Sequence, residues 1–162
     1  MLVASVACAK DFKVATVDLQ KLFKEYPGTK AAHDKLSTLA QKKEKELLPA
    51  KKELEDLDAE LKNSASVLSS KQKKEKQYLL EKKYEDFKQQ QTQVENDLAA
   101  KEADMTQGIL GEIKTVVAEV AKDSGVDLIL DADKTVYAKD SQDLTDAVMK
   151  KFKSAAPADS DK

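Results

Sequence analysis

The chain has 162 residues; 36% are charged, 41% hydrophobic and 5% aromatic, with no Trp and only four Gly and three Pro. A composition this charged and this poor in breakers favours long solvated helices, and argues against β-sandwiches, barrels and an ordinary single-domain enzyme with a large core. The net charge is −2 and all 28 basic residues are Lys, so the chain lacks both bulk attraction to polyanions and the planar Arg fork that reads phosphate and guanine.

At the N-terminus, Leu2-Val3-Ala4-Ser5-Val6-Ala7-Cys8-Ala9 is a short apolar run ending in small residues. Ala7-Cys8-Ala9 fits the small-x-small pattern of signal cleavage, so residues 1–9 read as the tail of a secretory signal and Lys10 as the new N-terminus. Two other readings stand beside it: Cys8 as a lipoprotein acceptor, for which Ser5 is poorly placed, and a plain apolar N-terminus. Cys8 is the only cysteine, so neither an internal disulfide nor a thiolate metal cluster is expected. No other stretch has the apolar length of a membrane span, and a soluble, exported mature chain is the expectation.

Lys13-Val14-Ala15-Thr16-Val17-Asp18 is β-branched and reads as a strand. A brief helix over Leu19–Glu25 follows, with Asp18 as its N-cap, and then a turn at Tyr26-Pro27-Gly28. From Thr29 to about Asn63, a second helix carries Ala40, Lys43, Leu47, Ala50, Leu54, Leu57 and Leu61, and the series continues through Ser64 and Leu68. This 3-4 spacing is a coiled-coil period, broken at Lys43 and weakened at Ser64. Pro49 is expected to kink the helix or break one turn.

The polar cluster Asn63–Ser70 reverses the chain, and Ser69 with Gln72 has the spacing of a capping box that opens a new helix. That helix runs from about Lys71 to Lys122, with Leu80, Tyr84, Phe87, Gln91, Val94, Leu98, Lys101 and Met105 at the same spacing. Past Met105 the repeat stutters to Ile109, Ile113, Val116, Val117 and Val120. Gly108 and Gly111 fall at the stutter and mark a close packing point or a hinge. The two long helices form an antiparallel hairpin, its first arm roughly 50 Å long at 1.5 Å per residue.

β-signals then return: a strand over Val126–Leu130, a turn at Asp131–Lys134, a strand over Thr135–Ala138, and a last helix with Leu144, Val148, Met149 and Phe152 on its apolar face. The expected architecture is α+β. Residues 10–28 and 112–153 form a small β-body, 29–111 a long coiled-coil-like hairpin inserted into it, and 154–162 a disordered tail. A body this small buries little core. Joining strands between subunits would cover its edges, so Val14, Val17, Val126, Leu128, Leu130 and Val136 are the expected oligomerisation surface.

The opening Lys13–Asp18 with Leu22-Phe23 and Tyr26-Pro27, the Lys- and Glu-rich hairpin, and the C-terminal segment together resemble the OmpH/Skp family of periplasmic chaperones. The C-terminal match runs from Val116–Lys122 into Val126–Ala132, then Val136-Tyr137-Ala138 and Asp143–Val148, and is the most specific piece. The resemblance implies a homotrimer whose strands join in a central body and whose helical tentacles enclose a cavity. It also implies a periplasmic location and the holding of unfolded outer-membrane proteins without ATP. No lipopolysaccharide site is carried over, because this chain lacks the Arg and the basic charge of the well-known members.

From Lys62 to Lys88 there are eight lysines against four acids, so the hairpin tip is basic, whereas the segment from Glu112 onward is acidic. Lys62, Lys71, Lys73, Lys74, Lys76, Lys82 and Lys83 are candidates to steer acidic clients or touch anionic membrane surfaces; the competing reading is a solvated helix face. Tyr78, Leu79, Leu80, Tyr84 and Phe87 are candidate apolar contacts that also suit packing against the partner helix, although five such residues within ten positions cannot all face one narrow seam. Pro49, Gly108 and Gly111 are candidate hinges, against a reading of local bending alone. No cofactor or metal site is expected: His33 is the only histidine, there is no Gly-rich phosphate loop, and no catalytic set can be assembled. The function expected is therefore a holdase. The alternatives are a structural envelope coiled coil, or a nonspecific binder of anionic lipid or nucleic acid through the lysine tips.

Overall fold

The computed structural model describes residues 11–64 and 67–155. The expected signal segment with Cys8, Ala65 and Ser66 of the reversal, and residues 156–162 of the tail lie outside the described residues. The chain forms two compact units, one built from residues up to Ala31 with those from Thr106 onward, the other from Ala32–Met105.

In the first unit β1 (Val14–Val17) is the central strand of a sheet ordered β2-β1-β3, with β2 at Leu128–Asp131 and β3 at Gln142–Asp143. Both pairings are parallel: Val14 lies opposite Leu128 and Val17 opposite Asp131, while Ala15 and Thr16 face Gln142 and Asp143. The two-residue alternation buries Ala15 and Val17 and leaves Val14 and Thr16 half-buried. Parallel strands need a crossover rather than a tight turn. Here that crossover comprises α1 (Leu19–Glu25), α2 (Pro27–Asn63) and α3 (Ser70–Ser124).

Asp18 caps α1 as the sequence predicts, its Oδ1 accepting from the Lys21 N–H at 2.7 Å. Tyr26-Pro27-Gly28 is not a turn, however. Tyr26 is extended and Pro27 opens α2, a position where its missing N–H is not needed and its fixed φ is already helical. At the far end of α3, Gly125 adopts φ +62° and bonds to the Lys122 carbonyl, while the Val126 N–H reaches that of Ala121, both at 3.2 Å. This is a Schellman ending. It removes Val126 from the strand expected there, so β2 starts at Leu128.

The expected strand over Thr135–Ala138 does not form. Ala132–Lys134 is a 3-10 turn closed by the Thr135 N–H on the Ala132 carbonyl, and Thr135 Oγ1 bonds the Asp131 carbonyl at 2.7 Å. Turn chemistry thus overrides β-propensity, and Val136 is left fully solvated. The third strand is instead Gln142–Asp143, extended by the Leu144 N–H donating to the Thr16 carbonyl at 2.9 Å.

Asp143 then organises the start of α4 (Thr145–Ala155), accepting from the Thr145 N–H at 2.8 Å and its hydroxyl at 2.6 Å. Those two bonds hold the Asp143 carboxyl below its usual range. Thr145, itself buried, accepts from the Asp18 N–H at 2.9 Å. One hydroxyl therefore ties the end of β1 to β3 and α4. Ser154 and Ala155, expected in the tail, belong to α4, and Met149 on its apolar face is only half-buried.

The core of this unit gathers Ala15 and Val17 from β1, Leu22 from α1, and Ile109, Ile113 and Val120 from α3 against Leu144, Val148 and Phe152. Tyr26 closes one side. Its ring meets Phe152 edge-on at 4.8 Å and its hydroxyl donates to Glu112 Oε2 at 2.5 Å. Desolvation and that carboxylate push the Tyr26 hydroxyl up to about 12, the hydrogen bond contributing most. Gly28 makes room for the ring: a Cβ there would overlap it, with Tyr26 Cδ1 only 3.0 Å away.

The second unit has no buried residue among those described, only half-buried and exposed ones. On α2 the half-buried ones include Leu36, Ala40, Lys43, Leu47, Ala50, Leu54, Leu57 and Leu61, the register expected from the repeat, together with Ala32, Leu39 and Asp58 beside it. On α3 the expected Leu80, Phe87, Val94, Leu98 and Met105 are half-buried, but Tyr84, Gln91 and Lys101 are exposed. Lys73, Lys76 and Lys83 take seam positions instead. Pairing of Glu53 with Lys83 and of Glu60 with Lys76, each at 2.7 Å, shows that the arms run antiparallel. α2 is continuous through Pro49 and α3 through Gly108 and Gly111. Of the kink or broken turn expected at Pro49, the broken turn is absent, and among the described residues nothing packs within 4 Å of either glycine's missing Cβ. That excludes close packing against the described residues as the reason for the glycine pair.

Candidate binding surface on the helical hairpin

The reversal between α2 and α3 is built by Ser64, whose carbonyl accepts from the Val67 and Leu68 N–H groups at 3.1 Å. Ser69 and Gln72 close the capping box in both directions: the Ser69 N–H donates to Gln72 Oε1 at 3.0 Å, and the Gln72 N–H to Ser69 Oγ at 3.3 Å. Two orphan donors at the start of α3 are satisfied this way. Val67, within the reversal, is 81% exposed, an apolar side chain that belongs to neither the lysine nor the aromatic cluster.

The candidate lysines separate into groups. Lys76 and Lys83 form the interhelical pairs just described. Lys62 pairs with Asp58 at 2.5 Å and Lys71 with Glu75 at 3.9 Å, both one turn away on their own helix. Lys73, Lys74 and Lys82 make no ion pair among the described residues, and of these Lys74 and Lys82 are exposed. Much of the positive charge counted in the sequence is thus locally compensated.

The apolar candidates also divide. Tyr78, Leu79 and Tyr84 are 70%, 42% and 62% exposed, while Phe87 is half-buried. Tyr84 and Phe87 border a groove of about 500 Å³ whose floor also includes Leu54 and Leu80. Leu80 is among the apolar candidates, whereas Leu54 was missed because its 3-4 spacing assigned it wholly to the seam. Lys51, Glu55, Asp58, Gln77 and Glu81 edge the groove. Among the described residues no cluster of three His, Cys, Asp or Glu side chains is placed to hold a metal ion. The surface has the means for noncovalent capture: aromatic faces, aliphatic floor and charges of both signs.

In the other unit, a cavity of about 260 Å³ is lined by Val17, Val126, Leu128 and Leu130 beside α3. Val14 is paired within the sheet, Leu128 is 42% exposed on the edge strand β2, and Val136 lies outside the sheet altogether. No helix among the described residues is long and apolar enough to cross a membrane.

A small parallel sheet with its core helices, interrupted between β1 and β2 by a long helical hairpin, defines the class of fold. The chain belongs to the family described as "Outer membrane protein (OmpH-like)", whose model matches residues 13–152. "Chaperone protein Skp" of Yersinia enterocolitica is 24% identical over 153 residues, covering 94% of this chain and 93% of that protein. The protein of the same name from Photorhabdus laumondii is 24% identical over 152 residues, covering 94% and 92%. The crystal structure of an OmpH-like protein from Caulobacter crescentus CB15 superposes with a TM-score of 0.76 over 95% of this chain and 91% of that one. At 16% identity, that superposition speaks for the fold.

Proposed function

We propose that this protein is an ATP-independent periplasmic holdase for unfolded outer-membrane proteins. The observation that carries the reading is the exposure of Tyr78, Leu79 and Tyr84 beside Lys74 and Lys82, which have no ion pair among the described residues, on one stretch of α3. The relationship to proteins named as chaperones supports it. A folded hairpin that leaves large apolar side chains in water beside exposed cations offers many weak, undirected contacts. Summed over several arms, such contacts give avidity without demanding one client shape.

Assembly as a homotrimer belongs to the same proposal. The open edge of β2, with Leu128 exposed and an apolar cavity behind it, is the surface on which subunits join, and the hairpins then enclose a shared cavity. Pro49, Gly108 and Gly111 serve as the points where the arms bend. Export, with cleavage after Ala9, places the assembly where barrel precursors pass.

The test is dilution of a urea-unfolded outer-membrane barrel into buffer containing the chain from Lys10, without nucleotide, followed by light scattering. Suppression that saturates at one trimer per client and persists at moderate salt is the expected result. No suppression at several-fold excess would leave a structural coiled coil as the better reading. Suppression that collapses steeply with salt would favour a polyanion or lipid-surface binder instead.

A further inference from the structure

The two flanks of the hairpin seam differ. On a helical wheel, Glu53 and Glu60 lie to one side of Leu54 and Leu57, and Lys76 and Lys83 lie to the matching side of Leu80. The interhelical ion pairs at 2.7 Å close that flank. The opposite flank has no interhelical ion pair among the described residues and opens into the groove floored by Leu54, Leu80, Tyr84 and Phe87. Three acids, Glu55, Asp58 and Glu81, and one lysine, Lys51, edge it. Glu55 and Asp58 have only same-helix partners, Lys51 at 4.0 Å and Lys62 at 2.5 Å, and Glu81 has no ion pair among the described residues.

We infer that this open flank is a docking groove for an aromatic side chain of an extended polypeptide segment flanked by Lys or Arg. The inference rests on the holdase reading and specifies what one face of the hairpin selects. The apolar floor takes a ring, and the ring's neighbours in an extended segment point up to the rim, where the acids meet their cations. Tyr84 adds a π-face to the same cation. Charge decides between occupants: a second copy of this groove laid face to face would set acid against acid, whereas a cationic segment complements it. The lysines of the hairpin and this groove therefore select opposite charges, which suits clients whose segments differ in sign.

The experiment titrates the full chain into three labelled ten-residue Gly/Ser peptides, read by fluorescence anisotropy. Their centres are Lys-Phe-Lys, Glu-Phe-Glu and Lys-Ser-Lys. The first is expected to bind about tenfold more tightly than either of the others, equivalent to about 1.4 kcal/mol. Glu81→Lys is expected to erase the preference for lysine flanks, and Tyr84→Ser to weaken both Phe peptides. Both side chains are exposed, and unchanged helix content by circular dichroism verifies that the variants fold. Equal binding of all three peptides, or a preference untouched by Glu81→Lys, overturns the inference. So does concentration-dependent self-association that Tyr84→Ser abolishes, which would assign the groove to a second copy. The light-scattering test is independent of these readouts. If the wild-type chain protects the barrel but the peptides are not discriminated, only the groove assignment fails; if it does not protect, the holdase reading fails.

Discussion

Replacing Gly28 by Ala sets two effects against each other at the start of α2. Alanine is the better helix former, by about 1 kcal/mol in a helix interior, and Gly28 lies inside the helix with no positive φ to preserve. On propensity alone the variant would be more stable. The new methyl, however, occupies the place of the Tyr26 ring, and displacing that ring breaks the hydrogen bond to Glu112 and the edge contact with Phe152. A hydrogen bond to a carboxylate contributes about 1.5 kcal/mol at the low end, which suits a solvent-accessible pair, and an aromatic edge contact about 1 kcal/mol. The expected net loss is about 1.5 kcal/mol. In a Tyr26→Ala background the obstacle is gone, and the same substitution should stabilise by up to about 1 kcal/mol. The four chains of this cycle are compared by urea unfolding, followed by circular dichroism at one fixed chain concentration because self-association shifts apparent stability. A stabilising Gly28→Ala in the wild-type chain, or a loss that persists without Tyr26, refutes the reasoning.

The same tyrosine gives a pH signature. Its ionisation is delayed from 10.0 to about 12, so the stability it contributes is fully present below pH 10 and lost as pH rises through about 12; Tyr26→Phe should flatten that loss in alkaline unfolding curves. Asp143 behaves in the opposite sense. Its lowered value means that its contribution is present above the ordinary carboxylate range and lost as pH falls through the lower folded value. Asp143→Ala should therefore cost about 1 kcal/mol at neutral pH, as loss of a helix cap does, and the difference from wild type should vanish in strong acid. Thr145→Val should cost about 1–2 kcal/mol in urea unfolding by leaving the Asp18 N–H without its acceptor. At the closed flank, Lys83→Glu faces Glu53 with like charge and should lower stability by about 1 kcal/mol at low salt. Lys83→Leu, in a half-buried seam position, should leave stability within about 0.5 kcal/mol.

What could be read from the sequence was what local rules determine. The Asp18 cap, the Ser69/Gln72 capping box and the 3-4 register of α2 depend on residues three or four apart, and all three are present in the structure. Pro27-Gly28 misled because the same pair opens a helix as readily as it makes a turn, and only Tyr26 packing over Gly28 decides between them. β3 was illegible because Gln142 and Asp143 have no strand propensity. They pair because Thr145 fixes them against Asp18, a contact spanning most of the chain. Thr135–Ala138 showed the reverse, with β-branched residues diverted by a turn. In the hairpin, Lys76 and Lys83 escaped an apolar periodicity although they sit at 76, 80, 83 and 87 in an unbroken heptad rhythm. Looking for ion-pair partners at those positions would have found them.

The seam lysines also explain how a hairpin can keep its arms together while holding apolar surface in water. An all-Leu seam would pack the arms tightly on both flanks and draw Tyr84 and Phe87 inward. With Lys76 and Lys83 at seam positions, each long aliphatic stem covers part of the seam while its ammonium leaves on one side to meet Glu60 and Glu53. Such partly exposed pairs add little net stability, but they decide which side of the seam is covered. The other side then depends on Leu54, Leu80 and Phe87 alone, and Tyr84 remains 62% exposed at its edge. Because none of the described residues in this unit is buried, its folding does not require that groove to be filled. The burial that stabilises the chain lies in the other unit, around Leu22, Ile113 and Val148. The sheet there fixes β1 and β2 in parallel register, so the hairpin is a crossover whose two ends are held by strands. Keeping the stabilising core apart from the hairpin in this way leaves the hairpin's exposed residues free to vary without loss of that core.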